Sequence, residues 1–162
     1  MDTQSHLHGP VGAGSPDAGA PVIVPSLLSI AKSTRAFLAL LLAEIDLHPG
    51  QDQLLDRLDP NSPVSVSMLA EQLFVRPSTV SKMLDRLIEK GLVARTANNR
   101  DARRTMVQLT PLGEQAQISI RNLWRRLETD LVSSISVDDL EVLDRSLART
   151  DELLTRKLRR LR

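Results

Sequence analysis

No cysteine occurs anywhere in the 162 residues. That absence removes thiol-based redox sensing, cysteine-ligated zinc and any disulfide framework, and it is compatible with a reducing cytoplasm. Histidine is nearly as scarce: His6 and His8 lie close to the start, and only His48 lies further in. The first two have a metal-like spacing, but the segment around them offers no further ligand, so no metal is expected. Without a Gly-rich phosphate loop or a paired catalytic motif, the chain does not read as an enzyme, and no cofactor is expected. Long apolar runs are also missing. The longest, from Ala36 to Ala43, is bounded by Arg35 and Glu44 and is far shorter than the ~20 residues of a membrane span. Met1 to Pro10 has no basic stretch of the kind that opens a signal peptide, so a cytoplasmic protein without a membrane partner is expected.

Glycine and proline are plentiful only at the start. Residues 1–25 collect Gly9, Gly12, Gly14 and Gly19 with Pro10, Pro16, Pro21 and Pro25, a composition that buries little surface and predicts a disordered tail. Beyond it the only glycines are Gly50, Gly91 and Gly113, each at an expected element boundary. The formal net charge of +1 conceals an asymmetry: residues 76–104 hold eight Lys or Arg against three Asp or Glu, whereas residues 1–63 hold three against seven. A local basic patch of this kind gains from releasing counterions from a phosphate backbone.

The patch lies on a clear helical pattern. Pro77 suits a first helical position and Gly91 a left-handed closing residue. Between them Val80, Met83, Leu84, Leu87 and Ile88 form one apolar stripe at helical period. The opposite face carries Ser78, Lys82, Asp85, Arg86 and Glu89, with Thr79 and Ser81 on its flanks. Short hydroxyl side chains let a helix enter a major groove; Ser78, Thr79, Ser81 and Lys82 are placed for base edges, and Arg76 and Arg86 for phosphate. An ordinary surface helix has the same period, so the following segment decides. Leu92 to Thr96 and Arg103 to Leu109 are strand-compatible and flank a loop from Ala97 to Ala102. Arg100, Arg103 and Arg104 crowd that loop and its return strand, where arginine suits the narrow minor groove beside a helix-read site. Val64 is expected to add a short third strand, and Ser65 to cap the first helix of the pair, which buries Leu69 and Leu73.

LAEQL, PSTVSKMLDRLIEKGLV, RDARR and LTPLG, between Leu69 and Gly113, closely resemble the winged helix-turn-helix of MarR-type bacterial transcriptional regulators. Asp101, Ala102 and Arg103 look like that family's D-x-R wing motif, with Asp101 orienting the wing, and Leu109, Thr110 and Gly113 like its L-T-x-x-G transition. Phe74 departs from the family, which usually has glycine there because the residue ending the first helix takes left-handed φ; a slightly repacked turn is expected. Arg76 stands where the family favours a side-chain cap.

Around this lobe, assigned to residues 48–113, a dimerisation helix is expected over 26–47, with Ser26 as its cap, and C-terminal dimerisation helices over 114–162. The first carries Leu27, Ile30, Phe37, Leu38, Leu41 and Ile45, widened by Leu40 and Leu42, and needs partners on more than one side. A short helix over Gln51–Leu58 is followed, after the lobe, by a long, partly apolar one from Thr110 and Pro111 to about Ser134 with Ile118, Leu123, Trp124, Leu127 and Leu131. The last opens at Ser136 in a capping-box pattern with Asp139 and carries Leu140, Leu143, Leu147, Leu154, Leu158 and Leu161. The expected fold is therefore mainly α with a small β wing. The expected function is that of a homodimer reading a pseudo-palindromic operator in double-stranded DNA, as a repressor. The resemblance further implies relief by a small aromatic or phenolic acid in a cleft between dimer helices and lobe, for which position suggests Arg35, His48 and Trp124. A winged helix that docks an acidic protein on its basic face is the alternative.

Overall fold

The computed structural model describes residues 23–96 and 105–161. The expected tail over residues 1–22 and the wing tip with Arg100, Asp101, Arg103 and Arg104 lie outside the described residues. Six helices and three strands follow in the order α1 (Ile23–Ala43), α2 (Gln51–Asp56), β1 (Val64–Ser65), α3 (Val66–Gln72), α4 (Pro77–Glu89), β2 (Val93–Thr96), β3 (Met106–Leu109), α5 (Pro111–Val132) and α6 (Val137–Arg160). The strands form one antiparallel sheet in the order β1-β3-β2, with Val64 opposite Val107 and Val93 opposite Leu109. This is the expected architecture, mainly α with a small β wing. The described residues separate into two units, one ending at Thr34 and the other starting at Arg35.

Within the second unit one apolar cluster organises the packing. Leu54 and Leu55 of α2, Leu69 of α3, Val80, Leu84 and Leu87 of α4, Val107 of β3 and Ile120 of α5 are all fully buried in it. The α4 stripe is thus the inward face that its period predicts, and its polar residues are left outside. On α5 the apolar residues divide between core and surface. Ile118 and Leu131 are exposed, while Gly113, Gln117, Ile120 and Leu123 form the buried face. Gln117 breaks the apolar pattern because it has a polar task inside: its Nε2 donates to the carbonyls of Leu55 and Leu58, at 2.9 and 3.0 Å, and so satisfies the end of α2 from α5.

Three helices end in the same left-handed device. In α1, α3 and α4 the chain closes with an N–H bonded to the carbonyl five residues back: Leu47 to Leu42, Val75 to Ala70 and Leu92 to Leu87. The residue before each donor has positive φ, namely Asp46 at 54°, Phe74 at 54° and Gly91 at 71°. Only the last position was filled by the residue type that reaches this conformation without steric cost.

The helix starts are equally local. Ser65 Oγ accepts from Met68 N–H at 3.2 Å, as its expected role as cap requires. Ser136 Oγ accepts from Asp139 N–H, but the Asp139 carboxylate bonds back to the Ser136 hydroxyl at 2.6 Å instead of to its N–H. α1 starts at Ile23, before the expected cap, so Ser26 lies inside the helix, and it ends at Ala43, with a turn over Glu44–Asp46. This extension corrects one expectation: at 21 residues α1 is long and apolar enough to cross a membrane by length and composition. Counting an uninterrupted run stopped at Arg35, whereas the helix continues through it with Lys32 and Arg35 as its only charges. Each of those cations near mid-helix costs ~2.5–3.5 kcal/mol on insertion.

Thr110 and Gly113 explain the L-T-x-x-G pattern physically. The Thr110 hydroxyl donates to Gly91 O at 2.6 Å and accepts from Gly113 N–H at 3.0 Å, so one side chain caps α5 and fastens it to the end of α4. A Cβ on Gly113 would lie 2.0 Å from the Leu92 carbonyl oxygen. Gly113→Ala is therefore expected to destabilise the fold by ~1–3 kcal/mol through forced backbone movement, read as a lower urea midpoint with an unchanged slope. A midpoint equal to that of the wild type would show that the approach is not tight.

Candidate nucleic-acid interface

The outward face of α4 is built by what its inward face buries. Ser78, Thr79, Lys82, Asp85, Arg86 and Glu89 are exposed, and Ser81 is half-buried. Arg76, in extended conformation, is the N-cap and makes no side-chain capping bond; its carbonyl accepts from Thr79 N–H at 2.9 Å. As expected, the exposed guanidinium is left to the surface, and Pro77 occupies the first turn. The start of α4 therefore presents hydroxyls and cations together, the combination that suits phosphate and base edges.

Ser81 is set back from that face. It lines a depression of about 350 Å³ with Ser65, Ser67, Pro77, Arg95 and Thr105, where α3, α4 and the sheet meet. Arg95 is a residue that sequence reasoning missed. Its Nη2 donates to Asp85 Oδ1 at 2.6 Å, tying the exposed side of α4 to strand β2 and hence to the base of the wing. Both partners are more than half exposed, so the pair orients more than it stabilises. A charge alternation read along one helix cannot reveal a partner on the next strand.

A second tie reaches α4 from the other end. Lys90, the C-cap residue, donates from Nζ to the Asp46 carboxylate at 2.7 Å and to the Asp46 carbonyl. This hydrogen bond and the ammonium charge hold the Asp46 carboxyl below the ordinary carboxylate range. The contact joins the turn after α1 to the end of α4.

Of the proposed effector residues, Trp124 is half-buried and lines a cleft of about 1440 Å³. Arg35 and His48 are exposed and are not among the residues of its wall; His48 N–H instead donates to Gln51 Oε1 at 2.9 Å. The charged groups in the wall are Asp52, Asp56, Glu71 and Asp151 with Arg57 and Arg159. Phe74 lines it too. The turn that Phe74 occupies is not repacked around the missing glycine: the backbone takes the left-handed conformation and keeps both closing hydrogen bonds, at a cost of roughly 1 kcal/mol for a residue with Cβ.

Residues 47–105, which hold this helix pair with β1 and β2, match the MarR family. That segment is of the MarR family. It is 41% identical over 66 residues to the HTH-type transcriptional repressor MdtR of Bacillus subtilis, an overlap covering 41% of this chain and 43% of MdtR. The chain thus spans less than half of that relative's length. Among solved structures, a MarR protein from Peptoclostridium difficile superposes with a TM-score of 0.81 at 16% identity, over 94% of this chain and 100% of the other. MepR of S. aureus, solved as a DNA complex, gives 0.74 at 22% identity over 83% and 99%. At those identities the likeness is one of fold, and it spans the helices on both sides of the MarR segment.

The Lys90 tie has a pH signature. A depressed folded-state pKa means that the stabilisation is present above the unfolded value of 3.8 and is lost as pH falls through the folded value. Asp46→Asn keeps a residue tolerant of left-handed φ and removes only the charge. Its melting temperature is expected to lie below that of the wild type at pH 7, with the gap closing on acidification below the ordinary carboxylate range. A gap that stays constant across that titration would assign the effect to the backbone turn.

Proposed function

We propose that the chain is a homodimeric, sequence-specific DNA-binding repressor acting in the cytoplasm. The observation that carries this reading is the recognition helix itself: α4 is held by Val80, Leu84 and Leu87, and turns Ser78, Thr79, Lys82 and Arg86 outward beside a wing strand to which Arg95 ties it. In this reading Ser78, Thr79, Ser81 and Lys82 meet base edges, Arg76 and Arg86 meet phosphate, and Arg103 enters the minor groove with Arg100 beside it and Asp101 orienting the wing.

Dimerisation is supported by apolar surface that the single chain leaves uncovered. α6 buries no residue, and Val142, Leu143, Leu147, Leu154 and Leu158 are all exposed along it. On α1, Phe37 and Leu40 are exposed as well. A second copy covering these helices supplies the two-fold symmetry that places two recognition helices on one face of a pseudo-palindrome. A small-molecule effector acts, in the same reading, by favouring a spacing of the two lobes that does not match the half-sites.

The test uses purified protein and promoter DNA next to its own gene. Retardation that weakens steeply with salt is expected from the wild type. Arg86→Ala should weaken binding to all duplexes alike and lower the salt slope by about 1, while Lys82→Ala should change the order of preference among operator variants. Absence of retardation, or one binding profile for both variants, sinks the assignment. Sedimentation in detergent-free buffer should give a dimer; a monomer would refute the two-fold reading.

A further inference from the structure

Phe74 combines two facts that are independent of each other. Its backbone sits at φ 54°, in the left-handed region that favours glycine, and its residue contributes to the wall of the large cleft. The position lies at the turn between the two helices of the DNA-binding pair. Behind it, Met68, Glu71, Gln72 and Leu73 extend the same wall along α3. Ahead of it, Val75 leads to the cap residue Arg76 and the first turn of α4. One short segment is therefore both the side of a cavity and the mount of the recognition helix.

A left-handed residue with a side chain persists only where its surroundings over-determine it. Here the turn is closed by Phe74 N–H to Glu71 O at 3.2 Å and Val75 N–H to Ala70 O at 3.1 Å, bonds that glycine would form equally well. The backbone gives no reason for a phenyl ring. The cleft wall to which Phe74 contributes also holds Leu127 on α5, Leu154 and Leu158 on α6, and Trp124, the only tryptophan in the chain.

We propose that Phe74 is a positioning residue, whose ring ties the orientation of the recognition helix to the packing of the cleft. A change in the cleft repacks the ring, the strained turn yields before the hydrogen-bonded helices do, and the start of α4 moves relative to its partner copy. By linkage, DNA that selects one orientation of α4 must alter the cleft in return. The inference rests on the DNA-binding reading given above.

The built-in reporter is Trp124. Wild-type protein, titrated with a duplex that it has itself selected from a random-sequence pool, should change its tryptophan emission on binding. Phe74→Gly relieves the backbone and removes the ring. It should melt no lower than the wild type, bind that duplex about fivefold or more weakly, and lose the emission change. Phe74→Leu, which keeps apolar bulk, should recover most of both. Phe74→Asn, tolerant of left-handed φ, should resemble the glycine variant and so guards against a misfolded one. A glycine variant that binds as tightly as the wild type, or wild-type emission that is blind to DNA, overturns the proposal while leaving the DNA reading intact. Failure of the wild type to select any duplex overturns both.

Discussion

The constraint on which this structure depends is the burial of one stripe of α4. Val80, Leu84 and Leu87 are fully enclosed by leucines from α2 and α3 and by Ile120 of α5, so the helix has no freedom to rotate about its axis without exposing them. A rotation that uncovered even one of these side chains forfeits ~1.5–3 kcal/mol of burial. The polar side is therefore presented in a fixed direction, with side chains that do not themselves secure it. The polar residues and the stabilising ones occupy opposite faces of the same helix.

Around that helix the connections are short and specific. Gln117 crosses from α5 to the end of α2, Thr110 fastens the start of α5 to the end of α4, and Arg95 and Lys90 reach α4 from the wing and from the turn after α1. The buried amide bonds are the durable ones, since breaking them leaves carbonyls without partners away from water. The exposed ion pairs stabilise little, but they define the angle at which neighbouring elements meet α4. Stability is thus concentrated in the lobe, and the apolar faces of α1 and α6 are left over for another surface.

Phe74 and Asp46 show why the turns merit separate treatment. Both helix ends use the closing geometry that Gly91 uses without cost, yet neither is glycine: Phe74 contributes to the cleft wall, and Asp46 sets its carboxylate against Lys90. These are also the two positions where neighbouring elements reach the helix pair, one at the turn before α4 and one at its end.

What the amino-acid order determined by itself was everything governed by neighbours in the chain. The helical period of Val80 to Ile88, the caps at Ser65, Thr110 and Ser136 and the strand alternation at Val107 and Leu109 are consequences of local sterics and hydrogen bonding. The MarR motif was legible for the same reason, since its residues are nearly contiguous. Tertiary structure alone decided which polar groups are shared between distant elements. Gln117 on a buried face, Arg95 on Asp85 and Lys90 on Asp46 join residues that no period relates, and Phe74 and Trp124 line one cleft. It also decided that Ile118 faces solvent and that Arg35 and His48 stay out of the cleft wall. A hydrophobic pattern reports which side of an element is apolar; what that side meets depends on the packing of the whole core.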